Sequence, residues 1–245
     1  MKFFLPFRYV FDQPGGFSNL LHITVCELIP VIGPIILYGY RSEVSVTLDY
    51  DPEMSWHPRF EFNRFEKYLA RGVWPFLIEL LLAVLHFPII FGVFIAGAIL
   101  LPNMPNPGLT FLVIEGVSLC FIVVLDSLKI TMVFHAELTG RFDLPGGLRF
   151  SWQFWRLVGL VALGTGFVFW FMSAVVLILG LLCCFVGIYP AIALIQMARQ
   201  HLMVQLYRLY LDRGGEPLIE EDRNFRDEHE EEFEDEYEEE DRDER

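Results

Sequence analysis

Between Arg156 and Arg199 the sequence has no charged residue over 42 consecutive positions. A water-soluble domain has no use for such a run, because its surface helices and strands alternate apolar and polar residues at their own period. One straight helix of that length would reach roughly 63 Å at 1.5 Å per residue, about twice the hydrocarbon core of a bilayer. The run must double back, and the turn is expected near Gly180–Cys184. Other absences narrow the chemistry. There is no Gly-rich phosphate loop, no H-E-x-x-H and no G-x-S-x-G, so no motif for phosphoryl transfer, zinc proteolysis or serine hydrolysis is present. There is no N-x-[ST] acceptor site. Cysteine is scarce: Cys26, Cys120, Cys183 and Cys184 all lie in apolar stretches without His at ligand spacing, and they read as small buried hydrophobes. The opening MKFFLPFRYVFDQPGG is interrupted by Pro6, Arg8 and Asp12, so it lacks the clean apolar core of a cleaved signal peptide. No catalytic residue, metal ligand or cofactor is assigned, and the chain is expected not to be an enzyme.

Charge is present, but in one place. The formal net charge is −14 for 245 residues. Residues 216–245 hold 18 Asp/Glu and 4 Lys/Arg, which is all of that −14, and the remaining residues carry 14 of each sign. An acidic tail is attached to an electrically balanced body, and no basic surface calls for nucleic acid. Like charges repel and little apolar surface is available, so residues 214–245 are expected to form a disordered acidic tail after a helical transmembrane domain over 1–213. Phe225, Phe233 and Tyr237 interrupt it at intervals that could present an aromatic face to a basic protein partner.

Membrane-length runs fill the body. Residues 73–101 are uncharged except for Glu79, and 109–133 are apolar apart from Glu115, Asp126 and Lys129. With two spans in 157–198, four full crossings are expected. Lysine and arginine in short loops favour the cytoplasmic side. The loop 102–108 has neither, whereas 41–72 holds Arg41, Arg59, Arg64, Lys67 and Arg71, and 134–156 holds Arg141, Arg149 and Arg156. The basic loops and the acidic tail then share the cytoplasmic face.

The first apolar segment, 17–40, is broken by Pro30, Gly33 and Pro34. As a full span it would leave Lys2 and Arg8 outside; as a re-entrant hairpin it keeps the N-terminus with the other basic segments. Proline removes a donor and clashes with the preceding turn, so the break supplies the reversal. The segment is expected to be re-entrant, or a kinked span. Two basic aromatic segments, FEFNRFEKYLARGVWPF (60–76) and RFSWQFWRL (149–157), read as interfacial amphipathic helices. A weak echo of QPGGF (13–17) in LPGGL (144–148), and of 30–42 in 185–199, raises internal duplication.

Ionisable groups within apolar segments cost about 2.5–3.5 kcal/mol each on insertion scales and therefore face a bundle interior. Glu79, Asp126 and Lys129 fall at similar depth on consecutive segments, which predicts a Glu79–Lys129–Asp126 ionic cluster that Glu27 approaches if 17–40 is re-entrant. Such a cluster is either an ion path or a packing lock. His135, Glu137 and Arg141, just past the third span, read as headgroup contacts.

The order of three segments is similar to a known family. A broken apolar segment ending in Gly39–Tyr40–Arg41 is followed by PRFEFNRFEKYLARG (58–72) and, near the end, by YPAIALIQMARQHLMVQLY (189–207). Over roughly 15–212 this resembles the bacterial and archaeal membrane proteins of domain of unknown function 4013. The resemblance implies a polytopic protein of the inner, or plasma, membrane and carries no activity or site residues. The expected architecture is an all-α polytopic bundle: four full spans, a re-entrant or kinked N-terminal segment and two interfacial helices. The expected function is a non-enzymatic scaffold or membrane-organising protein whose partners are the bilayer and a basic protein at the tail. The alternative is a transporter or channel component using Glu27, Glu79, Asp126 and Lys129.

Overall fold

A computed structural model describes residue 7 and residues 15–50, 58–100, 106–183 and 186–218. The chain divides into two units, Met1–Gly215 and Glu216–Arg245. The acidic tail expected over 214–245 falls almost wholly outside the described residues, as does most of the loop 102–108.

Among the described residues the first unit is helical throughout. It comprises α1 (Gly16–Glu27), α2 (Ile32–Tyr50), a short 3-10 turn (Phe62–Arg64), α3 (Phe65–Leu100), α4 (Pro107–Thr139), α5 (Leu144–Leu182) and α6 (Ile188–Asp212). The caps follow from the sequence. Asn106 and Asp143 accept backbone hydrogen bonds at the starts of α4 and α5, each with proline in the first turn, and Gly140 ends α4 in the left-handed conformation.

Residues 17–40 are neither one span nor a smooth kink. They form two helices that turn back on each other. Asn19 Nδ2 donates to Tyr40 Oη at 3.2 Å, and Gly33 lies so close to the Cys26 carbonyl that a Cβ there would collide with it. The reversal lies at Leu28–Val31, slightly before the expected Pro-x-x-Gly-Pro. Pro34 is accommodated in the first turn of α2, where its missing donor costs nothing, and Val31 takes the strain with φ 68. Arg41 belongs to α2 and is buried, rather than lying in a basic loop.

Helices α3, α4 and α5 are 36, 33 and 39 residues long. Among the described residues three helices, Phe62–Val93, Gly108–Thr139 and Leu144–Leu182, are long and apolar enough to cross a membrane. The fourth expected span falls on α6, where only residues 188–198 are uncharged before Arg199. At 1.5 Å per residue they cover about 16 Å, roughly half a hydrocarbon core. The segments 60–76 and 149–157 are not separate interfacial helices. Nearly all of the first and all of the second run without interruption into α3 and α5, and Tyr68, Phe150 and Phe154 turn inward among protein side chains. Trp152 and Phe62 do face outward.

Burial is unevenly distributed along the long helices. At one end α3, α4 and the start of α5 pack with α2 around Tyr38, Ile78, Met132, Val133 and Ala136. An aromatic group of Phe134, Phe150, Phe154, Tyr207 and Tyr210 fills the adjoining space. Backbones meet where α2 crosses α3, since a Cβ at Gly39 would strike the Tyr68 carbonyl and one at Gly72 the Ile35 carbonyl. Beyond this core the apolar side chains point outward: Phe87 is 69% exposed, Val124 64% and Phe167 70%.

Candidate functional site

The core end holds a set of buried polar side chains, drawn from α2, α4, α5 and α6. On α2 the run Arg41–Ser42–Glu43, followed one turn on by Ser45, is buried. Residues four apart share a helix face, so Arg41 and Ser45 reach the same neighbour, Gln200 of α6. Arg41 Nε donates to Gln200 Oε1 at 3.0 Å, and Gln200 Nε2 donates to Ser45 Oγ and to Glu137 Oε2, the latter at 2.9 Å. Arg41 Nη2 forms an ion pair with Glu137 Oε1 at 2.9 Å, and Ser42 Oγ donates to the Glu137 backbone carbonyl. The Arg41 guanidinium also stacks 4.8 Å from the Tyr38 ring centre. A second buried carboxylate, Glu43, meets Arg64 at 2.7 Å. Lower on the same seam Arg208 donates to the carbonyls of Leu48 and Asp49, the second at 2.9 Å. Thr131 and Ser151 pair at 2.6 Å between α4 and α5. Buried charge is tolerated when it is paired and hydrogen-bonded, and here the pairing tapes α2, α4 and α6 together.

The sequence-predicted residues lie beside this network. Lys129 Nζ is 3.4 Å from Asp126 Oδ1 and 3.9 Å from Glu79 Oε1, so α3 and α4 bring the three together. All three side chains are between 26% and 46% exposed, on the flank rather than inside. Glu27 makes its contact elsewhere: its Oε1 accepts from Gln196 Nε2 of α6 at 2.5 Å. Arg199 of α6 lies near enough to both regions for the charges of Arg41, Glu137, Glu79 and Asp126 to act on it.

His135 and Glu137 are both buried, whereas Arg141 is exposed. The expected headgroup cluster is thus split: two members turn into the core because they occupy the last turns of α4 where α2 and α6 pack on it. Arg41, Glu137 and Gln200 had no sequence argument linking them. The signal available was Gln196 and Gln200 at helical spacing on α6, one turn apart on the same face.

Chemically the arrangement is that of a lock. No group of three or more His, Cys, Asp or Glu could hold a metal among the described residues. The cavity bounded by Tyr40, Arg41, Gln196 and Gln200 has about 10 Å³, the room of roughly one water molecule. Compared with family models, curated proteins and solved structures, the chain matches none.

Proposed function

We propose that this chain is an integral membrane protein that organises the membrane and its attached partners without catalysing a reaction. The observation that carries the reading is the division within α3, α4 and α5: one end is packed and cross-tied by Arg41, Glu137 and Gln200, and the other exposes its apolar side chains. Exposed apolar surface on that scale is suited to acyl chains, and polar groups tied to one another are suited to rigidity rather than to turnover. The acidic tail supplies a recruiting element for a basic protein. The resemblance to domain of unknown function 4013, and the basic residues of 58–72 and 141–156, support a multi-pass protein of the inner, or plasma, membrane with its tail in the cytoplasm.

Transport through the Glu79–Lys129–Asp126 region is the second reading, supported by the contact of those three side chains. Two measurements separate the readings. In proteoliposomes the purified chain should give no proton or cation flux above empty vesicles, and Lys129→Gln should leave that flux unchanged. In intact membranes, cross-linked neighbours should be lost when the chain is truncated after Gly215. Flux abolished by Lys129→Gln overturns the scaffold reading. A membrane-impermeant thiol reagent, tested on cysteines placed at position 4 and in the tail, reports sidedness; both should be protected until lysis.

A further inference from the structure

The α1–α2 hairpin has an outer face left exposed among the described residues. Phe17, Leu21 and Val25 of α1, and Leu28 at its C-cap, recur at helical spacing and are 71%, 55%, 43% and 55% exposed. They continue into Ile29, Val31 and Ile32 at the turn, which are exposed as well. The inner face is satisfied by protein: Asn19 bonds Tyr40 and the Pro58 carbonyl, Leu20, Ile23 and Cys26 are buried, and Glu27 bonds Gln196.

The direction of the hairpin follows from its neighbours. Gly39 abuts Tyr68 and Gly72 abuts Ile35, so α2 runs opposite to α3, and the turn points the way α3 enters its apolar run. Arg41 meets Gln200 while Leu48 meets Arg208. Helix α2 therefore runs alongside α6 in the same sense, and the turn points toward the start of α6, where α5 has just ended its own apolar run. Both neighbours aim the turn at the apolar end of the molecule.

Its backbone suits that destination. In hydrocarbon each unpaired backbone donor costs several kcal/mol, so irregular chain is tolerated only when paired or covered. At the reversal Leu28, Ile29, Ile32 and Gly33 donate to the carbonyls of Val25, Cys26, Pro30 and Ile29, and Pro30 has no donor, which leaves Val31 as the one turn donor without a backbone partner among the described residues. Length sets the depth. The 12 residues of α1 extend about 18 Å at 1.5 Å per residue, short of a hydrocarbon core of about 30 Å.

We propose that the α1–α2 hairpin is inserted into a single leaflet, its outer face among the acyl chains, and that it thereby gives the protein a preference for membranes whose inserted leaflet is loosely packed or strongly curved. This rests on the membrane reading above. A wedge in one leaflet adds area there and none in the other, so insertion is favoured where that leaflet is already stretched, as for amphipathic helices that detect packing defects. A second copy covering the same face is the competing occupant.

The full-length chain, with its native cysteines replaced by alanine and Ile29→Cys carrying an environment-sensitive fluorophore, is reconstituted into phosphatidylcholine vesicles with acyl chains brominated at graded depths. Quenching by bromines in the upper half of the chains, with protection from aqueous iodide, is the expected result. Quenching by iodide, or protection from both quenchers, overturns the insertion; the latter identifies a protein cover. Detergent-solubilised protein is then added to vesicles of mixed size and sorted. Wild-type protein should be enriched several-fold per unit area on the smallest vesicles, and Leu21→Ser with Leu28→Ser should abolish the enrichment while chromatography shows the chain still folded. Equal density on all sizes overturns the curvature preference. Neither failure touches the scaffold reading, which stands on α3–α5 and the tail and is tested by flux and cross-linking.

Discussion

Arg41 and Glu137 meet at 2.9 Å with both side chains almost fully withdrawn from solvent, joining α2 to α4. A buried pair of this kind is costly to break from one side, because the survivor is left as an uncompensated charge, about 3–5 kcal/mol. Arg41→Met alone and Glu137→Met alone should each lower thermal stability in detergent by about that amount. The double substitution should be less destabilised than the sum, since it leaves neither charge behind. Strict additivity in that double-mutant cycle would mean the ion pair does not hold the helices together. Gln200→Leu should behave as a weaker version, as it removes hydrogen bonds but no charge.

Gly39 and Gly72 make a sharper case, since backbone leaves nothing flexible to move aside. A methyl group at either position collides with a carbonyl of the opposite helix. Gly39→Ala or Gly72→Ala should separate α2 from α3 and give protein that aggregates or runs as a broad chromatographic peak. Gly92→Ala and Gly116→Ala are the controls, because a Cβ at either meets nothing within 4 Å. If all four variants behave alike, the close crossing is not what orders the hairpin.

The helical class and three of the long runs were legible because membrane-length apolar stretches need no partner to be recognised. The contact of Glu79, Lys129 and Asp126 followed from depth counting along two helices joined by a short loop. The reversal of 17–40 was legible too, from Pro30, Gly33 and Pro34, though its position shifted to Leu28–Val31. The position of Arg41 was not. Counting it among loop basics took Arg41 to be outside a helix, whereas α2 continues to Tyr50 and buries it. Likewise 60–76 and 149–157 suggested interfacial helices because amphipathic spacing alone does not tell a lipid headgroup from another helix. Their inward faces, with Tyr68, Phe150 and Phe154, pack on protein. Tertiary partners decided these cases, and a single sequence does not name them.

Asp49 gives a dependence on pH. It lies at the C-terminal end of α2, away from the apolar runs. Burial raises its carboxyl above the ordinary value of 3.8, and the nearby Arg208 only partly opposes this. A raised folded value means the folded chain holds the proton more tightly than the unfolded one. The associated stability is present below the ordinary value and is lost as pH rises through the folded value, so at neutral pH the ionised group is a burden. Asp49→Asn should therefore raise the melting temperature at neutral pH, and the advantage should fade as pH falls to about 3.8 and below. An unchanged or lowered melting temperature at neutral pH would show that the charge of Asp49 is needed by Arg208 more than burial opposes it.

Lys129 pairs with two carboxylates, Glu79 and Asp126, and none of the three is fully buried. Replacing it by leucine leaves two like charges on adjacent helices at the edge of apolar runs, where an ionised side chain costs about 2.5–3.5 kcal/mol at the centre and less near the interface. Lys129→Leu should therefore lower stability in bilayers more than in detergent, in which water reaches the flank. Adding Glu79→Gln and Asp126→Asn should recover most of the loss, because the neutralised trio no longer needs a cation. That rescue distinguishes the two roles. If the cluster only balances charge, the triple variant behaves as wild type in stability, in cross-linking through the tail and in vesicle ion leakage. If the trio carries ions, a triple variant restored in stability would still have lost flux that the wild-type protein shows.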